Sequence, residues 1–326
     1  MENELVVVSK RSASADDLLA WRRTKDRLTE KLFYLLSILP LLLVIAIILA
    51  LLVRTWPILE MKSFGELLFG RIWKPLQGEF GFYPFIMGTF WVTTAAMLLA
   101  VPPSLLTAIY LAEYARPATR TALKPLIDLL AAIPSVVYGV WGLLAIVPAV
   151  EKHIAPALSR GLGFIPLFTT ENPTGFSVLA GGIVLAVMVV PFIIAVTFEV
   201  IRTVPDGVRE ASLAVGATRW QTIKFAVIPH VLPGIVAGIV LGSTRALGET
   251  MAVLMVVGNV PQVPKSIFDT AYPLPALIAN NYGEMLSIPL YDAALLGAAF
   301  MLLLIVLGFN ILSTLVLNRL VRRPVL

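Results

Sequence analysis

Arg245 and Glu249 stand four residues apart in the run STRALGET, residues 243–250, inside a stretch otherwise apolar enough to cross a membrane. A charge at bilayer mid-depth costs about 2.5–3.5 kcal/mol even on a lenient insertion scale, so each must face protein, water or a partner. On a continuous helix, residues four apart share a face, and the two can pair. Ser243, Thr244 and Thr250 add hydroxyls nearby, while Gly238, Gly242 and Gly248 let neighbouring helices approach closely. A guanidinium offers a fork of donors that suits the oxygens of a tetrahedral oxyanion, with Glu249 placed to orient or release it. The same two residues read equally as a structural ion pair that fixes helix register. The readings are compatible, because a pair that locks one state can exchange partners in another.

Other chemistries are poorly supplied. Without cysteine there are no disulfides, no thiolate metal ligands and no thiol nucleophile. The two histidines, His153 and His230, are far apart in the chain, and no metal site is expected from them. No glycine is followed by lysine, so no G-x-x-x-x-G-K-[ST] loop exists to cradle a nucleotide phosphate. If ATP is used, another subunit hydrolyses it. The apolar stretches carry no nucleophile beside a base, no His or Asp pair and no metal cluster, which argues against an intramembrane enzyme.

What must position Arg245 and Glu249 is a bundle of membrane helices. Of 326 residues, 58% are hydrophobic and only 14% charged, too apolar for a soluble globular protein. The net charge of +5 is better read as topology signals on loops than as a nucleic-acid surface. Six apolar runs are long enough to span, at residues 32–53, 85–111, 125–150, 178–200, 231–258 and 291–317. The second, third and fourth contain Pro102 and Pro103, Pro134 and Pro191, which bend helices and free backbone groups. Residues 1–31 form a polar tail of mixed charge, read either as a short surface helix or as a frayed end; residues 54–84, 151–177 and 259–290 form three long loops, and residues 318–326 a second tail. The first span lacks a small-residue cleavage site and reads as retained.

Six spans put both termini on one side. The two tails and the loops at 113–124 and 201–230 hold seventeen Lys or Arg, against seven in the other three loops. The positive-inside rule then makes both termini cytoplasmic in a multi-pass chain. Glu113, Asp128 and Glu199 fall at cytoplasmic span ends and read as solvated, while Trp73, Trp91 and Trp141 read as interface or packing residues.

One cytoplasmic segment, residues 206–229, has more definition. Asp206 follows Pro205 as a plausible N-cap, a short helix covers residues 208–215, and Gly216 supplies the left-handed stop. Thr218 caps a second helix, residues 219–227, that meets the membrane at Pro229. A rigid, exposed helix-turn-helix tied to two spans can turn a push from a cytoplasmic partner into tilting of the bundle.

Glu210, Ala211 and Ser212, then Gly216, then Ile228 and Pro229 resemble the EAA loop of ABC-importer permeases, whose pattern is Glu-Ala-Ala, three residues, Gly, nine residues, Ile-x-Leu-Pro. Ser212, Ala226 and Ile228 depart from it by small or apolar exchanges. The run RALGETMAVLMVVGN, residues 245–259, is similar to the fifth-span signature of PstC-type phosphate permeases. AIYLAEYA, residues 108–115, and IPSVVYGVWGL, residues 133–143, are similar to two more blocks of that family. Met251 and Met255 favour it over the sister PstA type. The likeness covers residues 32–323 and leaves the N-terminal tail outside.

The resemblance implies an all-α, MetI-like type I importer permease of six transmembrane helices in the bacterial cytoplasmic (inner) membrane. It implies phosphate as cargo, a PstA-type permease partner, two PstB-type ATPase subunits that bind ATP and Mg, and an extracytoplasmic phosphate-binding protein. It also implies that Glu210, Ala211, Gly216 and Arg219 lie on the ATPase-coupling surface, and no catalytic residue is expected in this chain. The same architecture would serve another oxyanion, sulfate or molybdate. A secondary transporter using Arg245 and Glu249 as an ion relay would leave residues 206–229 without a task.

Overall fold

Backbone polar groups in lipid must be satisfied internally, so long apolar runs have to be helical. The computed structural model, which describes residues 2–169, 172, 174–283 and 290–321, is built almost wholly of helices. Six are long and apolar enough to cross a membrane: Lys25–Met61, Tyr83–Tyr114, Ser135–Leu162, Val178–Arg202, Arg219–Leu247 and Tyr291–Arg319.

The chain divides into two units, Met1–Arg54 and Thr55–Leu326. The first is helix α1, Glu2–Met61, which runs on past the division. The tail is thus helical and continuous with the first span, which does not stop at residue 53. The chain has no glycine before Gly65 and no proline before Pro40, so nothing breaks the early helix.

In the second unit, the region read as a loop at 54–84 is ordered. After the end of α1 comes α2, Phe64–Phe69, whose start is closed by a reciprocal capping box between Ser63 and Glu66. A two-stranded antiparallel ribbon follows, β1 (Trp73–Lys74) paired with β2 (Glu79–Phe80). Trp73 sits at its base, 5.6 Å from the Phe80 ring, 5.0 Å from Phe85 and 6.2 Å from Tyr291. This aromatic cluster belongs to an apolar core with Ile58, Leu67, Phe82 and Leu274.

Helix α3, Tyr83–Tyr114, passes through Pro102 and Pro103 without interruption. Helix α4 is Pro117–Ala132 and α5 is Ser135–Leu162. The span expected at 125–150 is thus corrected. Ile133, before Pro134, takes φ −62° and ψ 131°, because a residue preceding proline is pushed out of the α region. The helix breaks there, and the span slides downstream into the segment read as a loop at 151–177.

Helix α6, Val178–Arg202, is the central one and the most deeply buried of the six spans. It packs against α3, against α4 and against α8, Arg219–Leu247. Between them lies α7, Asp206–Ala214. Short helices α9 (Met251–Leu254) and α10 (Leu274–Asn281) follow, then α11 (Tyr291–Val321), which packs on α8 and α10. The sixth span therefore extends beyond residue 317, and residues 322–326 of the second tail lie outside the described residues.

Besides the π segment in the last turn of α3, α5 carries π segments at Gly142–Ile146 and Val150–Ile154, and α8 carries one at Ile223–Val227; these last three share a cause. Each ends two residues before a proline: Pro148, Pro156 and Pro229. Proline lacks the N–H that would bond four residues back, and its ring crowds that carbonyl. Widening the preceding turn to π relieves both problems without breaking the helix. This is why α8 continues through Pro229, where the second cytoplasmic helix was expected to end.

Candidate functional site

The segment at 206–229 folds as two short arms with a sharply defined turn. Asp206 is the first helical residue of α7 and Pro205 precedes it as the cap position, correcting the expected Asp206 N-cap. The Asp206 carboxylate instead accepts from Arg209 Nη1 at 3.3 Å. At the other end Gly216 has φ +85°, as expected of a left-handed stop. Gly216 N donates to Leu213 O at 3.0 Å and Ala217 N to Ser212 O at 3.3 Å, the paired bonds of a Schellman ending. Thr218 then opens α8 with a capping box: its Oγ1 accepts from Gln221 N, and Gln221 Oε1 accepts from Thr218 N at 2.8 Å. The Ser212 and Thr222 hydroxyls lie 2.9 Å apart and tie the arms together.

Glu210, Ala211, Gly216 and Arg219 are all exposed on this element. Beside them Leu213, Val215, Trp220 and Phe225 are exposed as well, Val215 to 85%. The inward side rests on Val208, which packs on a core of Ile201, Val204, Val227, Val231 and Ile235. A charged and apolar surface on a braced helix-turn-helix is suited to receiving another protein.

The residue that grips this element was not singled out by sequence reasoning. Arg209 donates through Nε at 3.2 Å to each Glu113 oxygen and through Nη2 to Oε1 at 2.8 Å. It also donates to Val204 O at 2.7 Å and to Ile201 O at 3.2 Å. The hydrogen bond to Glu113 holds the guanidinium above its ordinary pKa, against the opposing effect of burial. Glu113 is accordingly paired, where the sequence suggested a solvated helix end. Glu199 is paired too, with Lys124. Ninety-six residues separate Arg209 from Glu113, and no local spacing could have revealed them.

The polar run at 243–250 is arranged differently from expectation. Helix α8 stops at Leu247 with Gly248 as its cap, and Glu249 lies past the helix end. The continuous span at 231–258 is therefore broken, and Arg245 stands in the last turn of α8. At about 1.5 Å per residue it lies roughly 24 Å beyond Pro229 and not at mid-span. The helical register that would align Arg245 with Glu249 is lost at Gly248, and among the described residues no ion pair joins them.

Glu249 Oε1 instead accepts from Ala252 N at 3.3 Å and so closes the start of α9. The Arg245 guanidinium lies over the Phe192 ring of α6 at 5.7 Å, and a cation in a last turn suits the negative end of the helix dipole.

The hydroxyls do not converge on Arg245. Successive helical residues turn by about 100°. Ser243 donates to Ile239 O and lines a cavity of about 410 Å³ with Phe90, Thr93, Thr94 and Met97 of α3. Thr244 donates to Val240 O at 3.0 Å and lies 3.4 Å from Asn310 Oδ1 of α11, a partner that sequence reasoning missed. Thr250 donates to Gly248 O at 3.3 Å. Gly248 is exposed and makes no close packing contact, whereas Gly238 and Gly242 do face α6. A helix interrupted at membrane depth is tolerated where its freed backbone lines protein or a watery cavity. The break at 248–250 lies next to Arg245, which among the described residues has no carboxylate partner. Among the described residues no group of three His, Cys, Asp or Glu could hold a metal.

Residues 104–325 match the family described as "Binding-protein-dependent transport system inner membrane component". The chain is 36% identical over 303 residues to the phosphate transport system permease protein PstC of Haemophilus influenzae, covering 92% of this chain and 94% of that protein. It is 34% identical over 316 residues to the PstC protein of Mesorhizobium japonicum, covering 93% and 95%. Among solved structures it resembles an inward-facing MetNI methionine ABC transporter, with TM-score 0.52 and 19% identity over 72% of this chain and 93% of that one. A bacterial alginate importer gives TM-score 0.51 and 19% identity over 73% and 79%. These last two establish the fold alone, the MetI-like helical arrangement. Fold, length and sequence agree, and the chain belongs to the binding-protein-dependent transport system inner membrane components and, within them, to the PstC permeases.

Proposed function

We propose that this chain is one half of the translocation pore of an ATP-driven importer of inorganic phosphate. As an ABC importer permease it is a multi-pass inner-membrane part of a transporter that includes an ATPase and a substrate-binding protein, and it is a transporter subunit and not an enzyme. The finer assignment takes a PstA-type permease as the other half of the pore. Two PstB-type subunits would bind ATP and Mg, a phosphate-binding protein would act on the outer side, and both termini would be cytoplasmic.

The observation that carries the reading is the braced helix-turn-helix at 206–229. Its outward face offers Glu210, Ala211, Gly216 and Arg219, and its inward face is held by Arg209. Closure of the ATPases moves this element, and the attached α6 and α8 tilt with it. Arg245 rides on α8 and presents its guanidinium at the helix break, where phosphate passes; Ser243, Thr244 and Thr250 shape the same helix end. Glu249 acts by holding α9 against that break, a role that replaces the expected pairing with Arg245.

A guanidinium accepts any tetrahedral oxyanion, so the choice of phosphate over sulfate or molybdate leans on the PstC relatives. Uptake by the reconstituted complex, measured with phosphate against sulfate, tests it. Phosphate uptake that excess sulfate leaves unchanged is expected, and equal uptake of both would exclude the assignment.

A further inference from the structure

A lever transmits a push only if its joint resists swivelling. Helix α7 has no fully buried residue; it is linked to α6 by the short segment at 203–205 and to α8 by the turn at 215–218, with the half-buried Val208 and the Ser212–Thr222 hydrogen bond beside those links. Chain connection alone would let it rotate about those two links. We propose that Arg209, clasped by Glu113, is the positioning residue that makes this joint rigid, so that a push on the coupling element becomes movement of α3 and α6. The inference rests on reading residues 206–229 as the ATPase-coupling surface.

The geometry is that of a clasp. One guanidinium meets the Glu113 carboxylate at the end of α3 with two nitrogens and, at the same time, the Ile201 and Val204 carbonyls at the end of α6. Such forked contacts fix orientation as well as distance. The side chains are only 19% and 10% exposed, so solvent screens the pair weakly. The far side of the clasp is braced: Arg120 of α4 donates to Leu111 O at 3.1 Å and to Ala112 O at 2.8 Å, holding the turn that carries Glu113. Glu113, on a span with no chain link to the coupling element, therefore sets the angle of α7.

The consequence is separable from folding and from ATP hydrolysis, because a swivelling α7 still binds the ATPase while transmitting less of its stroke. In the complete complex, reconstituted with its partners and the loaded binding protein, Glu113→Gln is expected to leave ATP hydrolysis near the parent rate. Phosphate moved per ATP should fall by about tenfold, within the range usual for coupling between sites. The chain has no native cysteine, so Glu113→Cys with Arg209→Cys can be joined by a short bis-maleimide. The unjoined pair is expected to slip in the same way, and joining it to restore the phosphate-to-ATP ratio.

An unchanged ratio in Glu113→Gln, or a loss that joining does not recover, overturns the inference. Disappearance of the assembled complex in Glu113→Gln and in Glu113→Asp alike makes the pair a folding contact and overturns it too. Failure of the parent complex to take up phosphate with ATP would instead refute the proposed function.

Discussion

Gly242 lies three residues before Arg245 on α8, and its substitution tests how that helix is held. A Cβ there would stand 2.8 Å from Ile193 Cγ1, 3.0 Å from Ile193 Cδ1 and 3.1 Å from Val189 Cγ1. Both neighbours on α6 are fully buried, so neither side chain can turn aside. Overpacking of this kind costs about 1–3 kcal/mol, while alanine in place of glycine in a helix interior returns about 1 kcal/mol. Gly242→Ala should therefore be destabilising by about 1 kcal/mol net.

Gly238 is a milder case, with its Cβ 3.0 Å from Val196 Cγ1, and Val196 is only half-buried. Gly308 on α11 meets no atom within 4 Å, so Gly308→Ala keeps only the propensity gain. Thermal unfolding of the purified chain, followed by tryptophan fluorescence, should rank the midpoints Gly308→Ala, Gly238→Ala, Gly242→Ala from highest to lowest. A Gly242→Ala chain that melts above Gly308→Ala would refute the close packing of α8 on α6.

Three further outcomes follow from the same geometry. Arg245→Gln is expected to abolish phosphate uptake while leaving assembly of the complex intact, as read by co-purification; undiminished uptake would remove Arg245 from the path. Thr218→Ala deletes one arm of a capping box and should cost about 1 kcal/mol in a denaturation midpoint, whereas Thr218→Ser should cost little. Val215 is exposed on the coupling element, and burying a valine is worth about 1.5–3 kcal/mol. Val215→Asp should accordingly weaken association with the ATPase at least tenfold in a binding titration, with the fold of the chain unchanged by circular dichroism.

The coupling element was legible because its determinants are local. Gly216 needs a left-handed backbone, and Thr218 with Gln221 forms a reciprocal cap, so the residues that make the turn are near neighbours in the chain. The six spans were legible from length and apolarity, but their ends were not. Pro134 and Gly248 decide where helices stop, whereas Pro102, Pro103 and Pro229 do not, because a π turn or packing against α6 absorbs them.

That distinction depends on tertiary neighbours, and it overturned the pairing of Arg245 with Glu249. Their spacing of four residues mattered only if the helix continued, and it ends between them. The clasp of Arg209 by Glu113 lay wholly outside local pattern, as did the contact of Thr244 with Asn310. Contacts between distant spans are set by how helices pack, and a single sequence carries no record of that.

The claim that residues 206–229 couple an ATPase to this pore is met most directly by accumulation of phosphate in proteoliposomes containing the whole complex, with the binding protein supplied on the receptor side and ATP on the side of the coupling element. Uptake should continue past the external phosphate concentration with ATP present and cease with a non-hydrolysable analogue. Uptake that proceeds at the same rate without ATP, or without the ATPase subunit, would contradict the account and return the chain to the class of secondary transporters or channels.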